Sequence, residues 1–234
     1  MKITLTCLPG YEDHLRRPCA AAGALPSWVR ALPAKARSTV LDGGEVRTVK
    51  QCPPFLDAMR SGILFPLACD VHVRNGVFEW DWDLPLHPLA RMTRSPLGFH
   101  APEQAAGVPG VDPLSFAVKF NNFWTVGLPE GWSMLFVHPV NRLDLPYRTL
   151  SGLVDSDHWR DGFVHFPALW TEPDFEGLLP AGTPVAQGFP VRRETLELDF
   201  QTMDDAALSR HLEVQDGLQA EPGLYRKAYR ATRG

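Results

Sequence analysis

Prolines and glycines interrupt this chain throughout its length, and they restrict its fold more than any other feature. The 234 residues include 22 prolines and 19 glycines, which recur without a fixed period. Because proline breaks helices and central strands alike, long helices are excluded over most of the chain. Hydrophobic residues still make up 44% of the composition, which argues against a disordered chain. We therefore expect many short strands joined by turns, in one compact domain.

Charge and apolar patterning exclude several classes of protein. The formal net charge is −4, so nothing favours binding to nucleic acid or to an anionic membrane. No run approaches the roughly 18 apolar residues that cross a bilayer, and the first residues do not read as a signal peptide. The four cysteines have no metal-ligand spacing (Cys7, Cys19, Cys52 and Cys69). We expect a cytoplasmic protein with reduced thiols and with no nucleic-acid or membrane partner.

A hairpin is the clearest element of the first half. Asn75-Gly76 lies between two apolar stretches, a pattern that predicts a type I′ turn. On the second strand Phe78, Trp80 and Trp82 alternate with acidic residues, so we expect one buried and one solvated face.

The other predicted elements are short. Before the hairpin, strands are expected at 2–8 and 46–52, and a short helix within 53–62 that Gly62 ends. A long Pro- and Gly-rich loop follows from about residue 84 to 113. Later strands are predicted at 114–120, 123–128, 133–140, 148–155, 163–170, 182–191 and 195–201. Thr202 and Asp205 then resemble a capping box that begins a helix, and a basic tail ends the chain.

A series of motifs occupies residues 126–193 in a fixed order. The first motif is LPEGW, with Pro129 and Gly131, and HPVNR follows it. The third is GLVDSDHW, with Gly152, Asp155 and Asp157. The last is GTPVAQ, with Gly182, Ala186 and Gln187. Their order and spacing resemble the superfamily of trimeric deoxyuridine triphosphatases and deoxycytidine triphosphate deaminases, which have the β-clip fold. The whole chain also resembles a bacterial and phage family without an assigned activity, through the blocks KQCPPFLDAMRSG and GLVDSD.

The resemblance implies a mainly β protein with a β-clip core, an irregular N-terminal elaboration and a C-terminal helix. We expect the elaboration at residues 1–113, the core at 114–201, and the helix with its basic tail at 202–234, packed as one compact domain. The superfamily further implies a homotrimer with pockets at the subunit boundaries.

The nucleotide-processing activities of the superfamily are not expected here, because their motifs are altered. Val140, Asn141 and Arg142 occupy the place of the phosphate-binding Arg-Ser-Ser segment, and a valine side chain cannot donate a hydrogen bond. His158 replaces the aromatic residue that supports the sugar. The Gly-rich C-terminal motif is absent from the sequence, and FVHFPALW lacks the glutamate that serves as the deaminase base. A shared fold does not carry an activity across these changes.

Asp155, Asp157 and His158 are the candidate catalytic residues. A carboxylate at the end of an apolar strand is placed to activate a water or to accept a proton from a substrate hydroxyl. The alternative is that the DSD sequence is an Asx-turn whose carboxylates accept backbone hydrogen bonds. We expect Asp155 to be a pocket carboxylate, so replacing it by asparagine should abolish function without lowering stability, and His158→Phe should have a milder effect.

Further polar residues are candidates for ligand binding: His138, Asn141, Arg142, Gln187, Lys50 and Asp57. Lys50 and Asp57 could instead pair with each other. Histidines and the Asp70-x-His72 pair are of a type that binds iron or zinc, but no motif specifies a metal site. The sequence therefore leaves open whether the protein binds a metal or a cofactor.

Two functions are compatible with these features. The first is an enzyme of specialised metabolism that acts on a small polar molecule, with Asp155, Asp157 and His158 at its centre. The second is a non-catalytic protein that binds a small molecule or serves in assembly, on a trimeric β-clip scaffold without the phosphate motif. The cluster of acids and histidines favours the enzyme, whereas the altered phosphate motif favours the binding protein.

Overall fold

A computed structural model describes residues 1–88, 91–108, 111 and 117–232 of the chain. These residues form two compact units. The main unit comprises Met1–Ala31 and Asp57–Arg193, and the second unit comprises Leu32–Leu56 and Glu194–Gly234. Among the described residues, none of the helices combines the length and the apolar composition needed to cross a membrane.

The protein is mainly β with a C-terminal helix, as predicted. In chain order the strands are β1 Thr4–Thr6, β2 Cys19–Ala20, β3 Lys35–Arg37, β4 Glu45–Arg47, β5 Ile63–Pro66, β6 Val71–Arg74, β7 Val77–Glu79, β8 Leu97–His100, β9 Ala117–Phe120, β10 Thr125–Gly127, β11 Trp132–Val137, β12 Tyr147–Thr149, β13 Gly152–Val154, β14 Phe166–Trp170, β15 Gly177–Leu179 and β16 Pro184–Arg192. The α-helices are α1 Ser27–Ala31, α2 Pro53–Arg60 and α3 Asp205–Ala220.

Antiparallel sheets build the main unit. The largest has the strand order β13-β11-β16-β5-β2, and a second has the order β12-β14-β9-β8. A three-stranded sheet, β15-β6-β7, and the ribbon β1-β10 complete the unit. The two larger sheets share one core, because Phe65 of β5 and Phe136 of β11 both pack against Phe166 of β14, with ring centroids 5.2 and 5.3 Å apart.

The predicted hairpin is confirmed. Asn75 and Gly76 have φ angles of 50° and 72°, as a type I′ turn requires, and β6 pairs with β7 across them. Phe78 packs edge-on against Trp170 with centroids 4.9 Å apart, while the acidic face is exposed.

Several other elements differ from the prediction. Residues 46–52 were expected to be a strand, but β4 ends at Arg47 and a 3₁₀ turn follows at Val49–Gln51, with Thr48 accepting a hydrogen bond from the Lys50 N–H. Residues 148–155 were expected to be one strand, but β12 and β13 belong to different sheets. The loop predicted at 84–113 contains β8, which pairs with β9. Residues 89–90, 109–110 and 112–116 of that region lie outside the described residues.

The strand predicted at 195–201 is the largest difference. This segment belongs to the second unit and has no regular secondary structure. The second unit also contains the hairpin β3-β4 and helix α3. Asp204, and not the predicted Thr202, caps α3, because its carboxylate accepts a hydrogen bond from the Ala207 N–H at 2.7 Å.

Candidate functional site

The DSD sequence forms a turn directly after β13. The Asp155 carbonyl accepts hydrogen bonds from the His158 and Trp159 N–H groups at 2.9 and 2.8 Å, and the Ser156 N–H bonds back to the Val154 carbonyl. This turn changes the direction of the chain, so Asp155 and Asp157 enter different surroundings although they are only two residues apart.

The buried carboxylate of Asp157 is held in an ion pair with the partly exposed Arg193. The Arg193 guanidinium donates to both carboxylate oxygens, at 2.8 Å to Oδ1 and through Nη2 to Oδ2, and the Gly131 N–H donates to Oδ2 at 2.8 Å. The Arg193 N–H in turn donates to the Gly131 carbonyl. The Asp157 side chain is only 3% exposed. This carboxylate therefore joins the turn before β11 to the residue after β16.

The bonds to Asp157 also determine its protonation. The hydrogen bonds from Arg193, with that from Gly131, hold the pKa of this carboxyl well below its usual range, and they outweigh the opposing effect of desolvation. A general base must gain and lose a proton near the working pH. Asp157 stays ionised there, so its geometry suits a structural ion pair.

Asp155 has a more open environment. Ser133 donates its hydroxyl proton to Oδ1 at 2.6 Å, and Arg193 lies 3.4 Å from the same oxygen. The Asp155 side chain is nevertheless 59% exposed, so it can meet a solute. Ser133 is fully buried, which prevents it from acting as a nucleophile towards a dissolved substrate.

His158 lies at the surface beside this cluster. Its side chain is 79% exposed, and Nε2 is 3.8 Å from Oδ1 of Asp157, which is beyond hydrogen-bond distance. The three predicted catalytic residues are thus neighbours in space. Their partners Ser133 and Arg193 were not predicted. Both lie far from the DSD turn in sequence, so no local motif indicates that they contact it.

The predicted ligand-binding residues His138, Asn141, Arg142 and Gln187 form a second group at the other end of β11. His138 Nε2 donates to the Arg142 carbonyl at 2.9 Å, and Nδ1 accepts from the Thr149 N–H at 3.3 Å. This pattern fits a neutral imidazole, and burial lowers the pKa of His138. Asn141 has a φ of 60° within this turn.

Gln187 and Arg142 brace the same turn. The buried Gln187 accepts from the Val140 N–H at 2.8 Å and donates to the Ser61 carbonyl at 2.6 Å. Arg142 is paired with Asp144 at 2.8 Å. Ser133 and His138 are five residues apart in sequence, or about 17 Å in an extended chain, so the predicted catalytic and ligand-binding groups lie towards opposite ends of β11.

Lys50 and Asp57 lie in different units. Lys50 Nζ donates to the Leu32 carbonyl at 2.7 Å within the second unit, and Asp57 is a buried residue of α2 in the main unit. Their predicted role in ligand binding stays a prediction.

A cavity that sequence reasoning missed lies on the β1-β10 ribbon. In the register of this ribbon Thr4 lies opposite Gly127 and Thr6 opposite Thr125. The cavity has a volume of about 380 Å³, and its lining also includes Lys2, Leu128, Pro129, Arg160 and Asp161. We call it the threonine cavity. Its signal in the sequence is the alternation of Lys2, Thr4 and Thr6 on one face of the first strand.

Arg160 is held in place by backbone oxygens. Its Nε donates to the Asp157 carbonyl at 3.1 Å, and Nη2 lies 3.4 Å from the Leu128 carbonyl. No carboxylate in the described part of the chain forms an ion pair with Arg160 or Lys2. The turn that carries Asp155 and Asp157 therefore also supplies an arginine to the wall of the threonine cavity.

Metal ligation was left open by the sequence. Among the described residues, no three His, Cys, Asp or Glu side chains are grouped as metal ligands would be. Asp70 accepts a hydrogen bond from the Ala181 N–H at 2.6 Å, and His72 is exposed on β6.

Comparison with known proteins adds a partial structural likeness. No family model and no curated protein matches the chain. It is similar to a mutant dUTPase from phage phi11 of Staphylococcus aureus, with 14% identity over 47% of this chain and 98% of that chain and a TM-score of 0.27. It is also similar to a mutant dUTPase of Staphylococcus bacteriophage 80alpha, with 14% identity over 47% of this chain and 93% of that chain and a TM-score of 0.28. Part of the chain is thus similar to phage dUTPases, while the assignments of the site rest on the contacts described above.

Proposed function

We propose that this protein binds a small anionic molecule in the threonine cavity and does not use Asp157 for proton transfer. One observation carries the proposal. The Arg160 guanidinium is fixed by two backbone carbonyls, without a carboxylate partner in the described residues, at the wall of a cavity lined by hydroxyls. A cation whose charge is not neutralised by a neighbour attracts an anion, and its fixed position reduces the entropy lost on binding.

The threonine hydroxyls add donors to this cation. Thr6 and Thr125 share a hydrogen bond of 2.5 Å between their Oγ1 atoms. Because each hydroxyl has a single proton, the one that accepts this bond keeps its own proton for a ligand oxygen. Lys2 supplies a second positive charge against the one acid, Asp161, in the lining. A phosphate or carboxylate group on a small molecule matches this set of donors.

The ion pair of Asp157 has a positioning role in this proposal. The Asp157 carboxylate binds both Gly131 and Arg193. The Asp157 carbonyl accepts a hydrogen bond from Arg160. The same residue therefore stabilises the turn and holds the binding arginine. This role accounts for Asp157 of the DSD sequence without a catalytic step.

Thermal unfolding in inorganic phosphate, compared with chloride at equal ionic strength and pH, tests the proposal. We expect a saturable rise in Tm for the wild type, because ligand binding to the native state stabilises it. Arg160→Gln should lose most of this rise, and Lys2→Gln part of it. Arg74→Gln, at an exposed position on β6, is the matched control. Phosphate also stabilises proteins by exclusion from their surface, so an equal rise in the wild type and Arg160→Gln would refute the proposal.

An enzyme remains the second candidate, because the Asp155 carboxylate is exposed while its position is defined by Ser133. In that case Asp155 would be the general base for a small polar substrate, next to His158. The cytoplasmic location stays a proposal that composition supports.

We also propose a homotrimer. Strand β13 lies at the edge of the five-stranded sheet, and its Leu153 is exposed together with the nearby Leu150. An open strand edge with apolar side chains favours association with another chain.

A further inference from the structure

A segment of alternating residues in the second unit lacks a strand partner among the described residues. Leu196, Leu198 and Phe200 are 84, 75 and 89% exposed, and Glu197 and Asp199 alternate with them. In an extended chain this pattern places three apolar side chains on one face and two acids on the other. We call residues 195–201 the acidic arm. No strand pairing in the described part of the chain includes it.

The hairpin β3-β4 of the same unit has the complementary pattern. Lys35 lies opposite Arg47, and Arg37 lies opposite Glu45, so these side chains share one face that carries three cations and one acid. Ala36 and Val46 lie opposite each other on the other face. The sheet has two strands in the described structure, and a two-stranded hairpin alone is only marginally stable.

We propose that the acidic arm of one copy of this chain adds as a third strand to the β3 edge of a second copy. Pairing in this way puts Glu197 and Asp199 beside Lys35 and Arg37, two residues apart on both strands. Opposite charges on neighbouring strands stabilise a sheet. On the other face Leu196, Leu198 and Phe200 extend the apolar surface of Ala36 and Val46.

A second copy is the partner that this arrangement favours. Each chain carries one donor arm and one acceptor edge, and both are open among the described residues of the chain on its own. Donation from each copy to the next is a head-to-tail contact, which forms a ring when the rotation between copies closes, and a closed ring of three copies is a trimer. The charges of arm and edge also disfavour pairing between two arms or between two hairpins.

Charge reversal with light scattering of the full chain tests the proposal. The wild type should have a mass that is a multiple of 26.1 kDa. The arm variant Glu197→Lys/Asp199→Lys should be monomeric. The hairpin variant should also be monomeric. It carries Arg37→Glu together with the exchanged pair Lys35→Glu/Glu45→Lys, and the exchange preserves the salt bridge between residues 35 and 45. The chain that combines both sets should assemble again, since opposite charges then meet.

A matched control makes the same charge change elsewhere. Glu213→Lys/Asp216→Lys reverses two exposed acids of α3 and should leave the mass of the wild type unchanged. Circular dichroism checks that each variant keeps its helix and its strands. A monomeric wild type, an arm variant with the wild-type mass, or a folded combined variant that stays monomeric would each overturn the proposal.

Discussion

Two aspartates that are two residues apart have different physical roles in this protein. Asp157 is enclosed by Arg193 and Gly131, whereas Asp155 touches Ser133 and remains open to solvent. The same residue type is thus a structural ion-pair partner in one position and an accessible carboxylate in the other. Their contacts decide the role, and each role has its own consequence for mutation.

Asp157→Asn should destabilise the protein, since the partly buried Arg193 loses its closest charge partner and keeps only the longer contact with Asp155. The folded-state pKa of Asp157 lies below its ordinary value of 3.8. Its stabilising effect is therefore complete above about pH 4 and is lost as the pH falls further towards the folded-state pKa. The Tm difference between wild type and variant should be constant from about pH 5 to 8 and shrink below about pH 4. Melting curves across this range check the prediction, and a difference that does not depend on pH would contradict it.

Asp155→Asn separates the two candidate functions. The amide oxygen still accepts from Ser133, so the loss in unfolding free energy should be about 1 kcal/mol or less. Under our proposal the stabilisation by phosphate persists in this variant. The variant could instead lose the stabilisation by phosphate completely, or lose all turnover of a small polar substrate. Either result would mean that Asp155 is a pocket carboxylate and would favour the enzyme. His158→Phe should have a weaker effect of the same kind, because that side chain is exposed.

Val140 leads to a prediction about nucleotides. Its side chain cannot bind phosphate, and its backbone N–H is already bonded to Gln187. We therefore expect neither tight binding nor turnover of dUTP and dCTP. Titration calorimetry is the measurement, and micromolar affinity for either nucleotide would show that this interpretation of HPVNR is wrong.

At the scale of elements, a glycine can be required both by the turn that contains it and by the close approach of a neighbouring strand. Gly62 follows α2 with a φ of +75°, which agrees with its predicted role as a helix end. A Cβ at this position would lie 2.2 Å from the carbonyl oxygen of Gly188 in β16. The glycine therefore permits both the turn and the approach of β16.

Gly62→Ala should destabilise the protein far more than an ordinary glycine substitution. Gly10→Ala is the control, because Gly10 has a φ of +83° but a methyl group there would meet no described atom within 4 Å beyond its chain neighbours. The control should cost about 1–2 kcal/mol for the left-handed conformation. Gly62→Ala adds a clash with the backbone, so its loss should clearly exceed that of the control. Urea denaturation gives both values, and equal losses would mean that the strand can move away.

At the scale of the whole molecule, assembly is the property that one chain leaves open. The edge of β13 and the acidic arm both expose apolar side chains. Large exposed apolar surfaces are uncommon on monomeric proteins, and a strand edge is the natural place for another chain to add.

We expect a homotrimer in solution. Light scattering at micromolar protein concentration should give three times 26.1 kDa. Dilution should lower this mass if the subunits are in equilibrium. A mass of 26.1 kDa that does not change with concentration would exclude the trimer.

The elements that the sequence predicted correctly depend on local chemistry. Asn75-Gly76 specifies its turn through the φ angles that these residues tolerate, and Gly62 ends α2 for the same reason. The predicted mainly β fold with a C-terminal helix follows from the spacing of prolines, glycines and alternating apolar residues. Such signals need only a few neighbouring residues, so they can be read without knowledge of the fold.

Only the tertiary structure decided which segments meet. Leu150 and Ser151 separate two strands of different sheets where the apolar pattern predicted one strand. Arg193 reaches Asp157 across 36 positions in sequence, and Arg160 acquires its place at the threonine cavity through the Asp157 and Leu128 carbonyls. Strand pairing and ion pairing depend on contacts between distant segments, whose free energies are set by burial and register in the folded chain. For this reason the types of residue in the site were visible in the sequence, but their partners were not.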